Sequence, residues 1–67
     1  MNEMRIRELR KAAGLTVGQL AAKMGVHVQV IHAWEMEIYL PKARELPTLA
    51  QALGCAIDDL FIREEAV

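Results

Sequence analysis

Apolar residues recur along this chain at steps of three and four, in short runs that each close on a glycine or a proline. Such spacing marks amphipathic helices, and no stretch shows the strict alternation of a half-buried strand. Ile6, Leu9 and Ala13 form the first stripe, which predicts a helix over about residues 3–13, closed by Gly14, with Arg5, Arg7 and Lys11 toward water. Thr16 with Gln19 three residues later is a capping-box pattern, and Leu20, Ala21 and Met24 then predict a second helix ending at Gly25. A third, over about residues 27–36, takes His27 as a weak N-terminal cap and turns Ile31 and Trp34 inward together with Val26. Pro41 marks the end of the following connection, because the residue before a proline is pushed out of helical geometry. The fourth helix is expected from near Arg44, with Pro47 tolerated in its first turn, an apolar stripe of Leu46, Leu49, Ala50 and Leu53, and Gly54 as a left-handed cap. Asp58 and Asp59 favour the start of a last short helix through the helix dipole, and Ile57, Leu60 and Phe61 complete the core. The expected fold is all-α, one small five-helix domain over residues 1–62, with a frayed tail at 63–67 and no internal repeat.

Length supports one core only, since 67 residues bury about 60% of their unfolded surface. Eight basic against nine acidic side chains leave a net charge of −1, where an autonomous nucleic-acid binder usually carries a basic excess or patch. Cys55 is alone and can form neither an internal disulfide nor the cysteine pair of a zinc site; a buried apolar thiol beside Gly54 is the expectation. No apolar run approaches the roughly 20 residues of a membrane span, and the opening residues lack a signal peptide's apolar stretch. A soluble protein of the cytoplasm, without cofactor or metal, is expected. His32 and Glu35 stand at helical spacing, but two ligands rarely hold a structural ion. No nucleophile–base pair and no glycine-rich phosphate loop point to an enzyme.

The run LTVGQLAAKMGVHVQVIHAWE, followed by a proline and LPTLAQALGCAIDDLF, resembles the lambda-repressor/Cro-like helix-turn-helix family over nearly the whole chain. Leu20, Ala21, Gly25, Val26, Ile31, Trp34, Glu35, Pro41, Leu49, Ala50, Leu53, Gly54, Ile57 and Leu60 stand in the family's register. The match is specific for fold and less so for function, because these positions build the core and the turn. The resemblance implies that the second and third helices form a DNA-reading unit with the third in the major groove. Under that reading Gln29 and His32 read bases, Val28 and Val30 touch thymine methyl groups, and Lys42, Arg44 and Arg10 hold phosphates.

The chain departs from the family at the reading positions themselves. Val17 and Gly18 open the second helix where Gln is common, Val28 replaces a polar base-reading residue, and no Lys or Arg occurs from Val26 to Leu40. After Glu35 the family's small polar residue and glycine give way to Met36 and Glu37, then Ile38, Tyr39 and Leu40. Helical geometry stacks Val28, His32 and Met36 on the outward side, with Gln29 and Ala33 beside them and Val17 and the loop bordering. The expectation favoured by this apolar face is a protein-binding module on a helix-turn-helix scaffold, reshaped by design or by divergence. It would dock a protein partner through Val17, Val28, Gln29, His32, Met36, Ile38, Tyr39 and Leu40. A His32 or His27 buried there would favour its neutral form, so binding would weaken below about pH 6.5. The alternative is a DNA-binding transcriptional regulator, and a homodimer closing the patch on itself is compatible with both. The blander reading leaves Arg5, Arg7, Arg10, Lys23, Lys42 and Arg44 on a solvated face and absorbs Val28, Val30 and Leu40 into the core.

Overall fold

The computed structural model describes residues 4–61, and the tail expected at 63–67 lies outside them. The described residues form four α-helices: α1 (Ile6–Ala12), α2 (Val17–Met24), α3 (Val28–Glu35) and α4 (Leu46–Leu53). Two single turns of 3₁₀ helix accompany them, Ala43–Glu45 before α4 and Ile57–Leu60 after it. The expected fifth helix is therefore one 3₁₀ turn. The side chain of Asp59 accepts from the Ala56 N–H at 3.1 Å, but Leu60 and Phe61 turn at once back to the chain's beginning. Met4 pairs with Phe61 in an isolated antiparallel bridge, and the Arg5 N–H donates to the Leu60 carbonyl at 2.6 Å. This pairing holds Met4 and Arg5 out of the first helix, which starts later than its apolar spacing suggests. Likewise the 3₁₀ turn absorbs Arg44, and α4 starts at Leu46 with Pro47 in its first turn, where no N–H is needed.

Ile6, Leu20, Ile31, Leu49 and Leu60 are fully buried, with Trp34, Ala21, Ala50 and Leu53 around them. Each large aliphatic group removed from water here contributes about 1.5–3 kcal/mol. These residues come from all four α-helices and the 3₁₀ turn at Ile57–Leu60, so α2 and α3 are fixed to one another through the same core that anchors α4. Ala13, expected on the inner stripe of α1, is exposed, and Arg10 takes the inward position instead.

One terminating device recurs at all four α-helices. After α1 the Leu15 N–H donates to the Arg10 carbonyl and Gly14 to Lys11; after α2, Val26 donates to Ala21 and Gly25 to Ala22; after α4, Cys55 donates to Ala50 and Gly54 to Gln51. These paired bonds satisfy carbonyls that a helix end leaves open, and they require a left-handed residue. At the end of α3 the same two bonds form, Ile38 to Ala33 at 2.9 Å and Glu37 to Trp34 at 3.2 Å, but the left-handed residue is Glu37 at φ 62°.

Candidate functional site

α2 and α3 are set by their N-terminal caps. Thr16 Oγ1 accepts from the Gln19 N–H at 3.0 Å while Gln19 Oε1 accepts from the Thr16 N–H at 2.9 Å, closing the capping box. α3 begins less firmly: His27 Nδ1 accepts from the Gln29 N–H at 3.2 Å. That bond needs a lone pair on Nδ1, so the neutral ring carries its hydrogen on Nε2. Gly25 links the two helices with φ 70°, and Val26 packs behind it against the core.

A buried ion pair locks the far end of α3. Arg10 Nε donates to Glu35 Oε2 at 2.6 Å and Arg10 Nη2 to Glu35 Oε1 at 3.3 Å, while Arg10 Nη1 donates to the Leu15 carbonyl at 2.9 Å. Arg7 adds a longer contact to Glu35 at 3.7 Å. The carboxylate is only 4% exposed, so it is held by cations rather than by water. The side-on guanidinium also relieves the repulsion between a carboxylate and a helix C-terminus. Arg10 is thus neither on a solvated face nor free to hold a phosphate; it positions α3 against α1. The same commitment removes Glu35 from any pairing with His32 as metal ligands, and among the described residues no group of three such ligands converges.

With its inner side fixed by Ile31, Ala33 and Trp34, α3 leaves Val28, Gln29 and His32 exposed along one outward strip. Ala33, expected beside them, is buried under the turn whose Ile38 and Tyr39 N–H groups reach its carbonyl. Val30 and Val17 are half-buried against the core, which takes both out of the outward set. Val28 and Leu40 do not join the core, at 39% and 59% exposure. Met36, Ile38 and Tyr39 stand further out still, at 65–71%. Lys42 and Arg44 are exposed where the loop enters the 3₁₀ turn, and among the described residues neither forms an ion pair. The Lys42 N–H is held by Glu45 Oε1 at 2.8 Å, which fixes the turn from which both cations project.

The structure therefore assembles Val28, Gln29 and His32 on α3, with Met36, Ile38, Tyr39 and Leu40 continuing beyond its end. Sequence reasoning missed the role of Arg10. The signal was available, since Arg10 lies one turn beyond Ile6 on the inner side of α1 and a conspicuous acid, Glu35, needed a partner. Among the described residues no helix is long and apolar enough to cross a membrane.

Residues 6–60 match the family model described as helix-turn-helix. The chain is 44% identical over 61 residues to an uncharacterized HTH-type transcriptional regulator of Methanothermobacter thermautotrophicus, a match covering 90% of this chain and 88% of the relative. It is 38% identical over 61 residues to an uncharacterized HTH-type transcriptional regulator of Archaeoglobus fulgidus, covering 91% and 87% respectively.

Proposed function

Because the chain belongs to the lambda-repressor/Cro-like helix-turn-helix family, we propose that it is a transcriptional regulator that binds operator DNA, laying α3 in the major groove. The observation carrying this reading is the outward strip of α3, in which Gln29 in the first turn and His32 further along are exposed while core and ion pair fix the other side. Reading helices contact base edges with their N-terminal residues, and that is where Gln29 stands. Gln29 offers the donor and acceptor pair that suits adenine, and Lys42 and Arg44 supply phosphate contacts from the adjoining turn. Two copies related by a twofold axis would engage two half-sites. Divergence within the family suffices for the unusual face, and no design is invoked.

Replacing Lys42 and Arg44 together by alanine tests the reading. Binding to duplex DNA should weaken on every sequence, and the log–log salt slope should fall by about 1.8 per protomer. Gln29→Ala should instead weaken only the preferred sequence, by about 5- to 150-fold. A double variant that binds duplexes as the parent does at low salt would overturn the assignment of these cations.

A protein partner is the second reading, favoured by the exposure of Met36, Ile38, Tyr39 and Leu40 on one side of the domain. It is the poorer of the two, because the relatives bear the name of regulators and the reading helix keeps Gln29 and His32 exposed beside these apolar residues. Ile38→Asp with Tyr39→Ser would abolish protein docking there and leave base reading by Gln29 in place.

A further inference from the structure

We propose that His27 is the positioning residue for base reading at Gln29, and that it serves only as the neutral imidazole, so that sequence recognition by α3 is lost on acidification. The inference rests on the DNA-binding reading above and adds its regulation. Of the four α-helices only α2 and α3 have a side-chain cap at the N-terminus. That of α2 uses the hydroxyl of Thr16 and the carboxamide of Gln19, neither of which titrates. That of α3 uses a single acceptor, Nδ1 of His27, and the N–H it holds at 3.2 Å belongs to Gln29 itself. Imidazole is the side chain whose ordinary charge change falls roughly between pH 5 and 8.

Protonation turns Nδ1 from an acceptor into a donor and sets it against the Gln29 N–H. It also places a cation at the positive end of the helix dipole. Both effects open the first turn of α3, and with it the backbone that aims the Gln29 carboxamide. The rest of the helix stays in place, because Ile31 and Trp34 are buried and Glu35 is held by Arg10 and Arg7. No neighbouring carboxylate offsets the new charge. α3 itself carries His32 and Glu35, and the helices packed against it carry Lys23 on α2 and Arg7, Glu8, Arg10 and Lys11 on α1. Of the two acids, Glu35 is committed to its arginines and Glu8 to Arg5, and α4 has no charged residue. The cause differs from burial at a protein interface, since His27 is exposed and acid simply removes an acceptor.

The test uses the full chain and the duplex it selects from a randomised pool at pH 8 and low salt, with a scrambled duplex of equal composition as reference. Between pH 8 and pH 5.5 the preference for the selected duplex should fall about fivefold, the loss expected of an N-cap. His27→Ala should show the reduced preference at both pH values. His27→Ser, whose hydroxyl caps without titrating, should keep the full preference at both, and circular dichroism verifies that each variant folds. An equal preference of the parent at both pH values overturns the proposal, as does a fall that persists in His27→Ser and therefore belongs to His32. So does tighter binding at pH 5.5 with a salt slope steeper by about 0.9, the mark of a charged His27 on a phosphate. Absence of any selected duplex overturns the DNA-binding reading and with it base reading by Gln29. The cap is decided separately, by the helical Cα chemical shifts of Val28 and Gln29 in the free chain. Their loss on acidification in the parent but not in His27→Ser supports the proton-sensitive cap, and unchanged shifts overturn it.

Discussion

Replacing Glu37 by glycine should make this protein more stable, although it deletes a side chain and adds none. Glu37 occupies the left-handed position that closes α3, at φ 62°, where α1, α2 and α4 have Gly14, Gly25 and Gly54 at 70–75°. A Cβ in that conformation costs about 1–2 kcal/mol. Glycine gives back about 0.5–1 kcal/mol of this through the greater freedom of its unfolded chain. A carboxylate one residue beyond the end of a helix also opposes the dipole, by a few tenths of a kcal/mol at an exposed position. Among the described residues Glu37 has no ion pair or side-chain hydrogen bond to lose. The net expected gain is about 1 kcal/mol, or a rise in Tm of about 4–8 °C for a domain of this size. Thermal unfolding followed by circular dichroism at pH 7 reads it directly. Glu37→Gln separates the two contributions, since it removes the charge and keeps the Cβ, and should recover only the smaller part. A glycine variant that melts at or below the parent, or a glutamine variant that matches it, would refute the backbone argument.

Three further outcomes follow from the same contacts. Glu35→Ala strands the buried Arg10 guanidinium and should cost about 3–5 kcal/mol, much of the stability of so small a domain; Arg10→Met combined with Glu35→Leu should recover most of it in urea titrations. An unchanged midpoint for Glu35→Ala would mean that the pair does not hold α3. Gly18→Ala should raise stability by about 0.5–1 kcal/mol, because an added Cβ meets only Thr16 Oγ1 at 3.9 Å, and a loss in thermal unfolding would contradict the open space seen there. Burial, with Asp59 adding to it and Arg5 opposing, pushes the Cys55 thiol above its usual range, so its reaction with a disulfide reagent at pH 8 should lag that of a free thiol; equal rates would show the group to be open.

The helical frame was legible because local rules and the core agree. Glycines at Gly14, Gly25 and Gly54, the Thr16–Gln19 pair and the stripes of α2 and α4 each mark a boundary that needs no distant contact to form. The expectations that failed depend on tertiary partners. Met4 and Arg5 leave α1 because Phe61 and Leu60 pair with them, and Ala13 yields its inner position to Arg10 because Glu35 lies across from it. At the site, helical spacing correctly set Val28, Gln29 and His32 outward. It left open whether Val30 would be drawn into the core, and it could not tell that the turn after α3 would cover Ala33. Function was harder to read than fold, since a reading helix with apolar positions suits a protein surface as well as a groove of DNA. Kinship, rather than periodicity, favours the second.

The measurement that bears most directly on DNA recognition by this protein is fluorescence anisotropy of the purified chain against a pool of random duplex DNA, from low to physiological salt. If Lys42 and Arg44 of two protomers neutralise four phosphates, the affinity should fall with a log–log slope of about −3.6. No binding even at the lowest salt would contradict the assignment of α3 to the major groove and return its apolar face to a protein partner.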